Sequence, residues 1–118
     1  MANKRLGNHT VKLHNPPAII STACIVGPKE GKGPLKEYFD MVIDDELWGE
    51  KTWEKAESKL VRETYIKILE KAALSPSNLN YIIAGDLLSQ CTASTFGLRD
   101  SNVSYLGVYG ACSTMTES

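Results

Sequence analysis

One amphipathic stripe constrains this chain more than any other feature. Trp53, Ala56, Leu60, Val61, Thr64, Ile68 and Ala72 recur at three- and four-residue spacing, the mark of a helix with one face on a core. Thr52 is the expected N-cap, and Glu54 puts a negative charge in the first turn, where the helix dipole favours it. Glu63 and Lys67 stand four apart in the favourable order. The "SPSN" after Leu74 closes the element, because Pro76 cannot continue it.

Short runs of β-forming residues stand on either side. Residues 18–26, "AIISTACIV", read as a buried strand. Residues 81–88, "YIIAGDLL", repeat that pattern and end on Gly85 and Asp86. "SNVSYLGVYG" is a third such run. Between the last two, "SQCTASTFGLRD" forms a short helix with Ser89 as its expected cap. "LKEYFDMVIDDELWG" is read as a short helix that closes irregularly near Gly49. The order strand, loop, helix, strand, helix, strand predicts an α/β layer with a mainly parallel central sheet of three strands. Residues 1–17 are polar, end in Pro16-Pro17, and read as an extended arm preceding a domain over 18–118.

Several function classes drop out. The 118 residues carry a formal net charge of −1, so no basic field draws a nucleic acid or an anionic membrane. No apolar run reaches the length of a membrane span, and the N-terminus has no apolar segment of the secretory kind. Cys24, Cys91 and Cys112 are odd in number and far apart, and His9 and His14 complete no zinc spacing with them. We expect free thiols, no metal and no cofactor, and an intracellular setting. The loop "GPKEGKGP" looks like a phosphate loop, but Gly31-Lys32 is followed by Gly33 where Ser or Thr is required. Asp44, Asp45 and Glu46 lack the alternating ligands of a calcium loop and read as a charged turn.

The chemistry-bearing stretch follows the third run. In open α/β sheets ligands gather beyond the carboxyl ends of strands. Gly85-Asp86 and the series Gly110, Ala111, Cys112, Ser113, Thr114 both reach that edge. A helix beginning near Cys112 offers unpaired N–H groups and a positive dipole end, which favour either a thiolate or a bound carboxylate. By residue type alone Cys112 reads as a small buried residue. A cysteine nucleophile also needs a base and an oxyanion site, and no histidine is placed to serve.

"GPKEGKGPL", "WEKAESKL", "AGDLLSQ" and "YGACSTMTES", in this order and at these separations, resemble the stage V sporulation protein AD family, within the thiolase-like superfamily. The likeness spans about residues 18–118. It implies a thiolase-like fold built from two βαβαβαββ halves, of which this chain is the start of the first, cut at the central helix. It implies that Cys112 occupies the superfamily's nucleophile position, and that Cys112, Ser113 and Thr114 bind the ligand. That ligand would be dipicolinic acid, taken up into the developing spore with other proteins of the same sporulation operon. The superfamily's alternative is acyl transfer through Cys112, its histidine partners lying beyond Ser118. The resemblance further implies a spore or forespore setting, peripheral to the inner spore membrane through partners, and a homodimer at full length. The family more often shows Ser-Met-Glu where Met115, Thr116 and Glu117 stand here.

Overall fold

The computed structural model describes residues 5–118. Strands β1 (Arg5–Leu6) and β2 (Thr10–Val11) form a small antiparallel hairpin. Its turn uses Gly7 at φ +65°, a left-handed conformation that costs glycine little. The expected extended arm is therefore folded back on itself over this stretch, and residues 1–4 lie outside the described part.

The first β-rich run is the main departure from expectation. Only Ile25–Val26 forms a strand, β3, and it is half-buried. Ile19 and Ile20 are 87% and 75% exposed, so this stretch is not a buried strand. An extended backbone gains burial only when a neighbour covers it, and composition does not reveal whether one is present. The partner of β3 is a strand not expected from the sequence: β4, Met41–Val42, runs parallel to it, pairing Ile25 with Met41 and Val26 with Val42. The segment expected as a helix gives only a single 3₁₀ turn, Lys36–Tyr38, before β4. The glycine-rich loop serves this pair. A second 3₁₀ turn, Glu30–Lys32, lies over β4, and any Cβ on Gly31 would collide with the Val42 side chain.

Helix α1, Trp53–Ala72, forms as expected, with the Thr52 hydroxyl accepting from the Lys55 N–H at 3.3 Å. Ala56 and Leu69 are its buried residues, while Trp53 at the head of the stripe is exposed. The Glu63–Lys67 pair does not form. Glu63 pairs with Arg62, and Lys67 with Glu70. The helix closes before the proline: Ala73 is left-handed (φ 53°, ψ 39°), and the Leu74 N–H returns to the Leu69 carbonyl at 3.0 Å, a Schellman closure. Lys71 in the last turn reaches the Asp40 carboxylate, which also accepts from the Cys24 N–H at 2.8 Å. These two bonds tie α1 to the β3–β4 pair and hold the Asp40 carboxyl below its ordinary value. The acidic stretch is a turn, with the Asp45 carboxylate accepting from the Gly49 N–H at 3.0 Å. Lys59 donates to the Trp48 carbonyl at 2.8 Å and sits over its ring.

Strands β5 (Tyr81–Ala84) and β6 (Ser104–Gly107) run parallel in the register Tyr81–Ser104 to Ala84–Gly107, joined through α2, Thr92–Leu98. This is the β-α-β unit the alternation predicted. Helix α2 lies against α1, where a Cβ on Gly97 would strike the Ser58 carbonyl and the Val61 side chain. Among the described residues the buried apolar ones are Ile43, Ala56, Leu69, Ala93 and Leu98, so the core sits where α1 meets α2 and the β3–β4 pair. Among the described residues the strands form three separate two-stranded sheets, not one sheet of three. The architecture is mixed α/β with short parallel pairs.

Candidate functional site

The site is built where β5 and β6 end. The Val108 N–H bonds the Ala84 carbonyl at 3.0 Å, extending the ladder past β6. Gly85 then lets the two segments close: a Cβ there would collide with the Val108 carbonyl and the Thr114 methyl. The chain next turns through Ala111, left-handed at φ 50°, and a 3₁₀ turn over Ala111–Ser113 leads into a short helix, α3, Thr114–Glu117. A pocket of about 390 Å³ opens between the two segments, lined by Ile83, Gly85, Leu87, Cys112, Thr114 and Met115 among others. The two edge segments singled out in the sequence thus share one concavity.

The three site residues behave differently. Cys112 is exposed and lines the pocket, so the buried reading of its residue type does not hold. Thr114 also lines it, and its Oγ1 accepts from the Gly110 N–H at 3.2 Å. Its methyl stands toward Gly85, and the hydroxyl keeps a proton for a further acceptor. Ser113 is turned elsewhere: its hydroxyl lies against the Gly110 carbonyl at 2.7 Å and the Glu117 carboxylate. Glu117 therefore serves to hold the turn. No lysine or arginine lines the pocket.

Asp86, which also lines the pocket, centres a polar cluster whose other members sequence reasoning missed. Asp86 is only 5% exposed. Its Oδ1 accepts from the N–H groups of Ser89 (3.3 Å) and Cys91 (3.1 Å), and its Oδ2 from the N–H and hydroxyl of Ser94, both at 2.8 Å. Burial would push its carboxyl up, but these bonds, led by those from Ser94, outweigh burial and hold it below the usual carboxylate value. The Tyr105 hydroxyl lies 2.7 Å from Ser94 Oγ and 3.2 Å from the Ala84 carbonyl. Since the Ser94 proton goes to the carboxylate, Tyr105 donates to Ser94 or to Ala84. Asp86, not Ser89, thus caps α2. The residue directly before α2, Cys91, is left-handed, and its thiol donates to the Val108 carbonyl at 3.3 Å. The signal available in the sequence was an Asp directly after a strand-ending glycine, with Ser and Tyr donors downstream.

Together these features define an α/β protein with a ligand-sized pocket at the carboxyl edge of a parallel strand pair, braced by a buried aspartate. The family model Stage V sporulation protein AD (SpoVAD) matches residues 7–118, and the chain belongs to that family. The curated stage V sporulation protein AD of Bacillus subtilis (strain 168) is 33% identical over 115 residues, which is 98% of this chain. The chain spans 34% of the length of that relative. Among the described residues no helix is long and apolar enough to cross a membrane.

Proposed function

We propose that this sporulation-family chain supplies one wall of a dipicolinic acid site in a thiolase-like protein, which supports uptake of that ligand into the developing spore. The observation that carries the reading is the shared pocket of Gly85, Cys112 and Thr114 in a chain of this family. A pyridine dicarboxylate is a planar dianion. One carboxylate fits the free Thr114 proton and the leading N–H groups of the turn at Cys112, donors that favour an anion. The Asp86 carboxylate, which also lines the pocket, is offset in part by the four donors at the start of α2, and its remaining charge opposes a dianion. The second carboxylate needs a cation that these lining residues do not include. Such a cation comes from the rest of the protein or from other products of the same operon. The spore setting, peripheral attachment through those partners, and a full-length homodimer belong to the same reading.

Calorimetry tests it. Dipicolinate titrated into this chain and into the full-length Bacillus subtilis relative should give a binding heat, weakened in this chain or absent for Thr114→Val. No heat from either protein removes the reading.

The exposure of the Cys112 thiol in the pocket favours a second reading, acyl transfer. The sulfur would attack the carbonyl carbon of an acyl thioester, the carrier thiol would leave with the proton, and a new thioester would remain on Cys112. Intact-mass measurement after incubation with acetyl-CoA should show an acetyl adduct that is lost in Cys112→Ser. An unchanged mass disposes of this chemistry.

A further inference from the structure

The Cys112 pocket is charged on one side only. Asp86, 5% exposed, lines it together with the Cys112 thiol, and these are the lining residues whose side chains titrate. The donors on the Asp86 carboxylate are the N–H groups of Ser89, Cys91 and Ser94 and the Ser94 hydroxyl. All are neutral dipoles. They hold the carboxyl below its ordinary value, so it is ionised at neutral pH, and they leave its unit charge in place. Among the described residues no cation lines the pocket, and Ile83, Leu87 and Met115 give it apolar walls. Glu117, in the adjoining turn, adds charge of the same sign. A charge set in such a wall is screened less than one on an open surface, and its field reaches whatever stands beside the thiol.

We infer that Asp86 sets the charge selection of this pocket: neutral or cationic groups are admitted beside Cys112, and anionic groups are disfavoured there. The inference rests on the pocket as a ligand site and not on the identity of the ligand. For a dicarboxylate the consequence is orientation. The carboxylates keep to the Thr114 side and the mouth, and an uncharged ring edge turns toward Asp86. For an acyl thioester the consequence is choice of acyl group. An uncharged acyl chain fits beside the thiol, whereas one ending in a carboxylate is opposed.

Two methanethiosulfonates test this, one carrying a trimethylammonioethyl group and the other a sulfonatoethyl group. Each forms a mixed disulfide with a thiol and releases methanesulfinate. Rates at Cys112 are read by peptide mass, each divided by its rate on the same chain unfolded in urea, which removes the intrinsic difference between the reagents. The folded chain should favour the cationic reagent by about tenfold. Asp86→Asn should remove most of that preference. Asp86→Ser, a neutral residue that also caps helices, should do the same, so the test does not hang on one variant folding. Glu117 is common to all three chains, so the change isolates Asp86. Cys24, exposed and outside the pocket, should keep one ratio throughout. Equal rates for the two reagents on the unmutated chain overturn the inference, as does a preference that both neutral variants retain. A missing dipicolinate heat with this preference intact removes the ligand and not the selection, so the two readings fail separately.

Discussion

Asp86 shows how one side chain can organise the edge of a strand pair. Four donors converge on its carboxylate, so replacing it strands buried N–H groups at the start of α2. Asp86→Ala should cost roughly 2–4 kcal/mol, read as a lower urea midpoint. Asp86→Asn should cost roughly 1–3 kcal/mol, because an amide nitrogen would face the Ser94 donors. The same residue sets a pH dependence. Its folded value lies below the ordinary 3.8, so its stabilisation is fully present above that value and is lost as pH falls through the folded value. Urea midpoints should drop from about pH 4 downward, less steeply in Asp86→Asn; equal slopes in the two proteins would count against this account. The site edge at Gly85 and Cys112 was legible in the sequence because small and polar residues collect there. Asp86 was placed at that edge too, but its capping role was not legible, because its contacts reach three to eight residues along the chain and depend on how α2 folds back.

At the scale of elements, α1 was legible because its periodicity and its Thr52 cap are local properties. Strand β4 was not: two residues gain strand geometry only from β3, and pairing of this kind is written in no local pattern. The failed Glu63–Lys67 pair has a similar cause, since Arg62 and Glu70 offer each partner an alternative. Two substitutions test what holds these elements. Ala73 closes α1 in a left-handed conformation that a Cβ disfavours, so Ala73→Gly should raise stability by about 0.5–1 kcal/mol. Gly97 lets α2 approach the Ser58 carbonyl of α1 more closely than a side chain permits. Gly97→Ala should therefore cost about 1–3 kcal/mol, and both changes can be read from thermal midpoints measured side by side. A neutral Gly97→Ala would mean that the helices separate without loss.

At the scale of the molecule, surface and size disagree with a self-sufficient domain. A folded monomer of 13.0 kDa should expose about 6,300 Å², whereas this chain exposes 9023 Å². Its radius of gyration is 16.5 Å, against about 13.5 Å for a compact chain of this length. Many large apolar side chains lie on that surface. In β5 and β6 the side chains of Ile82 and Tyr105 face inward, and those of Tyr81, Ile83 and Leu106 are exposed, with Ile83 directly opposite Leu106. Strand alternation made the two faces foreseeable, but not which of them the rest of the chain would leave open. An uncovered sheet face of this kind promotes association. Sedimentation velocity on the chain should show mass rising with concentration, and Leu106→Lys should suppress that rise by placing a charge at the centre of the face. The register predicts that Ile83→Lys behaves alike, because its side chain neighbours Leu106 across the strand pair. By contrast Ile82→Lys, on the inward face, should lower the thermal midpoint. A mass independent of concentration in the unmutated chain would show that the open face is too small or too polar at its margins to drive pairing.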